Sequence, residues 1–231
     1  MLPISIGISR CLIGDAVRYD GADKYSKLCR SQLSANFDLN SICPEVESGL
    51  SIPREPIELI QYSNKLKVLG RDDSSIDVTG QLLNFLSHKV PLLTLLSGFI
   101  LTPRSPSCGL NTVVIKSPEG QVLSRSSNGL FVCSLIKNFP TLPLIEEPDL
   151  AEEGVLSLFQ LRVIVYYLIR QEKLFARELF DKPIYGELVT NIHGDDSKNN
   201  QMMALNQRLD EMTNVQVTNL LTVLKESLND K

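Results

Sequence analysis

Between residues 97 and 115 the chain sets a loop that is poor core material between two segments that are good core material. Ser97-Gly-Phe-Ile-Leu101 and Asn111-Thr-Val-Val-Ile115 read as buried strands, the second rich in β-branched residues. The stretch between them, Arg104-Ser-Pro-Ser-Cys-Gly109, holds a thiol, two hydroxyls, a proline and a glycine. Such a loop suits the presentation of side chains and backbone N–H groups at the C-terminal end of a strand. In open α/β sheets that edge is where ligands bind.

Two earlier segments end in the same way. Ile4-Ser-Ile-Gly-Ile8 runs into Ser9-Arg-Cys-Leu-Ile-Gly14, and Asp38-Leu-Asn-Ser-Ile42 runs into Cys43-Pro-Glu45. Pro44 stops the second strand because proline cannot donate to a ladder. Cysteines at the C-terminal ends of separate parallel strands can converge in space despite wide sequence separation. The predicted fold class is α/β, layered around a mostly parallel sheet and followed by a helical C-terminal extension.

The remaining elements follow from spacing. A helix is expected over residues 24–36, carrying Tyr25, Leu28 and Leu33. Residues 57–60 and 65–69 form a hairpin around Tyr62-Ser-Asn64. Asp77-Val-Thr79 opens an amphipathic helix with Leu82, Leu83, Leu86 and Val90 at helical spacing, and residues 127–138 form another helix. Residues 142–145 read as a last short strand. Pro140, Pro143 and Pro148 mark a boundary, which divides the chain into residues 1–148 and a helical extension over residues 149–231. The extension reads as a docked helix over 156–180 and a final helix over 202–228.

A length of 231 residues suits one sizeable domain with an appendage. The net charge of −4 argues against a nucleic-acid-binding surface. No apolar run approaches the roughly 18–20 residues of a membrane span. The N-terminus lacks the basic start of a signal peptide, so a cytoplasmic location is expected. Nothing in the pattern sets an oligomeric state. The five cysteines are an odd number with no C-x-x-C pair, which argues against a disulfide framework and against local zinc-ribbon or thioredoxin motifs.

Cys29 and Cys133 fall within helical patterns and read as small buried hydrophobic side chains. Cys11, Cys43 and Cys108 sit in polar loops, where two readings stand: buried small residues or thiolate ligands. Three thiolates without a fourth would leave one iron of an iron–sulfur cluster open to substrate. Glu45 is either a general base reaching the same pocket or a surface carboxylate. Ser105 and Ser107 either bond a ligand or satisfy a turn. Arg18, Asp20, Lys24 and Arg54 read as loop-ordering charges, and His88 and His193 have no partner at metal or triad spacing.

Taken in order, several blocks carry a resemblance. They are Cys11-Leu-Ile-Gly14 with Arg18-Tyr-Asp-Gly21, then Cys43-Pro-Glu-Val46 through Gly49-Leu50 and Pro53-Arg-Glu-Pro56. Asp77-Val-Thr79 and Ser105-Pro-Ser-Cys-Gly109 complete the series. Together they resemble the TudS-type thiouracil desulfurases over roughly residues 4–145. The resemblance implies a Rossmann-like domain and a 4Fe–4S cluster held by Cys11, Cys43 and Cys108, with one iron open. It also implies catalytic roles for Glu45 and Ser105. Phe159-Gln-Leu-Arg-Val163 through Tyr166-Tyr167 is similar to the start of the YbgA-type helical domain of longer relatives, here shortened.

Three positions depart from the family pattern. Ser48 stands where glycine is usual, Ile76 interrupts a Gly-x-Asp-Val-Thr block, and Thr102 replaces a lysine, a change of charge that bears on substrate or rate. The expected function is desulfuration of a small thiolated compound, a thiolated nucleobase such as 2-thiouracil. The rival readings are a non-catalytic metal or redox-sensing module, and a sulfur carrier for tRNA thiolation.

Overall fold

The computed structural model describes residues 2, 4–174, 179, 182–190, 192–194 and 196–229. Strands β1 (Ser5–Ser9), β2 (Asp38–Ile42), β5 (Leu96–Leu101) and β8 (Leu144–Glu146) form a sheet in the order β2-β1-β5-β8, with every pair parallel. β5 is buried along its whole length, as an apolar central strand must be.

Side-chain alternation on β5 builds the three layers. An added Cβ on Gly98 would lie 2.7 Å from Val163 of helix α4 (Val155–Arg170). Phe99, pointing the other way, packs edge-on against Phe131 of α3 (Leu130–Asn138), their ring centroids 5.1 Å apart. One helix therefore covers each face, and the predicted α/β class holds. Gly7 pairs with Phe99 across the β1–β5 ladder and yields its side-chain space to the ring. A Cβ there would stand 2.1 Å from Phe99 Cδ2. Gly7→Ala is expected to destabilise the protein by about 1–3 kcal/mol through overpacking. An unchanged urea midpoint would refute this account of the β1–β5 contact.

A second sheet, which residue spacing did not separate from the first, joins the hairpin to two further strands. The hairpin is as predicted, with β3 (Ile57–Tyr62) antiparallel to β4 (Lys65–Gly70). β3 also pairs in parallel with β6 (Val113–Lys116), and β6 pairs with β7 (Val122–Ser127), an edge strand missing from the expected pattern. The helix expected to begin near residue 127 therefore starts only at Leu130. α2 (Thr79–Lys89) lies where predicted, although Leu83 is half exposed.

The helix expected over 24–36 contracts to a short helical turn and a π-helix at Cys29–Leu33. The helix expected over 156–180 ends at Arg170, and residues 175–178 and 180 lie outside the described set. Farther on are α5 (Pro183–Val189), α6 (Lys198–Glu211) and α7 (Asn214–Asn229). The last two replace the single final helix. α4 packs against β5, α6 and α7, so these helices share the core of the parallel sheet. Among the described residues no helix is long and apolar enough to cross a membrane.

Candidate active site

The carboxyl ends of β1, β2 and β5 open on one cavity of about 430 Å³. Cys11, Cys43, Cys108, Glu45 and Ser105, each singled out from the sequence, all line it. Cys29 is buried elsewhere, and Cys133 is exposed on α3, contrary to its expected place in the core. His88 and His193 are both exposed.

Three local structures present the cysteines. After β1 the chain makes a 3-10 turn, Arg10–Ile13, which ends at Gly14 in a left-handed conformation. After β2, Cys43 caps the short helix α1 (Pro44–Glu47), its N–H bonded to Glu47 Oε1 at 3.2 Å. After β5 comes the 104–109 loop. There the Ser105 hydroxyl accepts from Ser107 N–H at 3.2 Å and from Cys108 N–H at 3.1 Å, so Ser105 also sets the Cys108 backbone. The first turn of α3 holds the loop from outside: Leu130 N–H donates to Pro106 O and Phe131 N–H to Ser107 O. Gly129 touches the same backbone, where a Cβ would fall 2.4 Å from Ser107.

Glu45 is buried, and both its oxygens are engaged. Oε2 accepts from Arg54 Nη2 at 2.6 Å and Nε at 3.0 Å. Oε1 accepts from Ser107 Oγ at 3.0 Å and from Ser105 Oγ at 3.4 Å. Arg54, read from the sequence as a loop-ordering charge or a ligand contact, supplies the counter-charge to Glu45, and Ser107 lies closer to Glu45 than Ser105 does. No sequence spacing announces either contact, because each depends on how separate loops meet.

Burial pushes all three thiols above their ordinary range, Cys108 furthest, with Cys43 and Glu45 adding to the effect. Two features oppose this and suit thiolate ligands. Thr102 Oγ1 is buried without a hydrogen-bond partner and lies close enough to Cys11 to favour its thiolate. The Ser9 hydroxyl, which accepts from Thr102 N–H at 3.1 Å, does the same for Cys108. Among the described residues no three His, Cys, Asp or Glu side chains converge on a point suited to one metal ion. An iron–sulfur cluster makes a different demand, since its thiolates bind separate irons around a cube. Three thiols sharing one cavity, with an unpartnered hydroxyl beside them, match that donor set.

The cavity wall carries more cations than carboxylates, most of them already in ion pairs. Among the described residues, Arg10, Arg18, Lys24, Arg54, Arg71 and Arg104 line it against only Glu45 and Glu58. Burial and neighbouring Arg18 hold the Lys24 ammonium below its ordinary value. Arg10, Arg18, Arg54 and Arg71 are paired with Asp15, Asp20, Glu45 and Asp72, so among the described residues Lys24 and Arg104 are the wall's cations without an ion-pair partner. Asp20 is outside the lining and pairs with Arg18 at 3.2 Å.

Fold and cavity together define an α/β protein with a thiol-lined pocket at the carboxyl edge of a parallel sheet. The chain belongs to the 2-thiouracil desulfurase family, whose sequence profile matches residues 6–147. It is 29% identical over 126 residues to the uncharacterized protein YbbK of Bacillus subtilis (strain 168), a match spanning 52% of this chain and 82% of the relative. Its fold is similar to the solved 4Fe–4S-dependent thiouracil desulfidase TudS, with a TM-score of 0.51 and 27% identity. That likeness covers 64% of this chain and 93% of the other.

Proposed function

We propose that this protein is an iron–sulfur-dependent desulfurase acting in the cytoplasm on a small thiolated compound, a thiolated nucleobase such as 2-thiouracil. The observation that carries the reading is the gathering of Cys11, Cys43, Cys108, Glu45 and Ser105 around one cavity in a chain of this family. In this reading residues 1–148 are the desulfurase domain and residues 149–231 its helical extension. Cys11, Cys43 and Cys108 would each give one thiolate to a 4Fe–4S cluster. When bound, the cluster supplies an iron without a protein ligand, a Lewis acid matched to the soft sulfur of a thiocarbonyl.

The chain's own groups do the rest. Glu45 takes a proton from the attacking water, and Arg54 and Ser107 fix the carboxylate for that task. The Ser105 hydroxyl, 3.4 Å from Glu45 Oε1, bonds the substrate or intermediate in this reading. A C–O bond forms as the C–S bond breaks, and sulfur leaves as sulfide with the protons of water. Carbon keeps its oxidation state, so no electron donor is needed. Lys24 and Arg104 on the cavity wall suit a ring that can shed an N–H proton and carry negative charge.

Anaerobic purification tests the reading. The protein is expected to be brown, to contain iron and acid-labile sulfide, and to convert 2-thiouracil to uracil and sulfide. A colourless protein that retains zinc in place of iron after cluster reconstitution would overturn it.

A further inference from the structure

We infer that Glu146 and Glu147, consecutive carboxylates where β8 ends, are positioning residues that hold the Cys108 and Cys11 loops relative to each other. The inference rests on the proposed function for its purpose, and on hydrogen bonds outside the cavity for its evidence.

Glu146 is 5% exposed and, among the described residues, has no ion-pair partner. Its Oε1 accepts from Leu110 N–H at 2.7 Å and from Thr112 Oγ1 at 2.5 Å. Thr112 Oγ1 in turn accepts from Arg104 N–H at 2.9 Å. One carboxylate oxygen thereby grips both ends of the loop that carries Ser105, Ser107 and Cys108. Glu147 reaches the opposite way. Its Oε1 accepts from Ser26 Oγ at 2.6 Å, and Ser26 is 4% exposed. Ser26 N–H donates to Leu12 O, and Lys24 N–H to Cys11 O, both at 2.9 Å. The second carboxylate therefore anchors the segment strapped over the Cys11 turn.

Both anchors root in the sheet, because Glu146 pairs with Leu101 at the end of β5, directly ahead of the Cys108 loop. A buried carboxylate without a cation is costly for stability alone. What it supplies is an acceptor that takes two donors on one oxygen, with charge-assisted bonds stronger than those of a neutral group. Groups that orient metal ligands commonly have this character.

The test uses reconstituted full-length protein and Glu146→Ala, Glu146→Gln and Ser26→Ala. Cluster loss to excess EDTA is followed by bleaching of the visible chromophore. In cluster-free protein, iodoacetamide labelling of each cysteine is followed by mass spectrometry. Glu146→Ala is expected to lose its cluster about 10- to 100-fold faster, the usual range for groups behind metal ligands. Its Cys108 should label at least about tenfold faster, with Cys29 unchanged, because a bond to a charged acceptor holds a loop shut by about that factor. Glu146→Gln, whose amide oxygen can accept both donors, should recover toward wild type. Ser26→Ala should shift the labelling at Cys11 and not at Cys108.

A folded Glu146→Ala protein with wild-type rates in both assays overturns the inference. If that variant does not fold, Thr112→Val removes one donor and the Arg104 acceptor at nearly constant shape. Wild-type rates in that variant overturn the inference equally. Should the wild type take up no cluster at all, the functional reading fails, while Cys108 and Cys11 labelling still decides the clamp.

Discussion

Glu45→Gln is expected to lower kcat for 2-thiouracil by about 10² to 10⁴, the range a general base contributes, with the visible spectrum of the cluster unchanged. Glutamine is the informative replacement because of what surrounds the site. Arg54 has a side-chain exposure of 7% and places two nitrogens on Glu45 Oε2. Alanine would strand that guanidinium, and removing one partner of a buried pair costs about 3–5 kcal/mol. Loss of activity in Glu45→Ala would then mix misfolding with lost chemistry. Glutamine keeps one oxygen for the Arg54 donors and turns the other into an amide NH2 that the Ser107 hydroxyl can accept from, while it loses the negative charge and the capacity to take a proton. Single-turnover kinetics separate the two readings. A large fall in the chemical step with normal 2-thiouracil binding supports a base, whereas wild-type kcat would remove Glu45 from the mechanism. Ser107→Ala is the companion variant. It leaves Glu45 ionisable but takes away the 3.0 Å bond that orients it, so a smaller loss is expected than from Glu45→Gln.

The parts of the site legible in the sequence are those that local chemistry dictates. β1 and β5 are short apolar runs, and β2 alternates polar and apolar residues up to Pro44, so their ends, and the cysteines at those ends, could be placed before any pairing was known. The β3–β4 hairpin announces itself through Ser63-Asn64, with Ser63 at φ 40°. β7 gave no such signal. Val-Leu-Ser-Arg-Ser-Ser at an exposed sheet edge has no apolar face for a period of two to mark. The π-helix at Cys29 was equally hidden, because its apolar residues satisfy an α-helical spacing just as well.

A helix boundary inside residues 202–228 did leave a local signal. Thr213-Asn-Val-Gln216 is a capping box, with Thr213 N–H on Gln216 Oε1 at 2.9 Å and Gln216 N–H on Thr213 Oγ1 at 3.3 Å. It divides the expected final helix into α6 and α7. The Arg54–Glu45 pair and the Glu146 contacts lie beyond local reading altogether. They join residues 9 and 36 apart through a tertiary arrangement, and no spacing rule anticipates them.

Serine replacement of Cys11, Cys43 or Cys108 is expected to abolish stable cluster binding, while Cys29→Ser and Cys133→Ser retain it. Position is the basis for the partition. The first three line the cavity, Cys29 is buried apart from it, and Cys133 faces outward. Thiol ionisation adds a pH signature that a merely structural role would lack. Ligation requires thiolates, and burial raises all three cavity thiols, so each must release a proton on binding. Cluster uptake should therefore strengthen as pH rises through the neutral and mildly alkaline range, by up to about three protons per cluster, until the raised values are passed. The cluster-free protein should behave in the opposite sense. A thiol raised in the folded state stabilises the fold fully below its unfolded value of about 8.5, and that contribution is lost as pH climbs through the folded value. Cys29, pushed up to about 11 by burial, extends the loss to that point. Iron uptake and apo-protein Tm, both measured from pH 7 upward, should thus move in opposite directions. Each cavity-cysteine variant that still folds should flatten the uptake curve, whereas Cys29→Ala should flatten only the Tm curve. A cluster lost from Cys29→Ser alone, with Cys108→Ser intact and brown, would refute the three-ligand assignment.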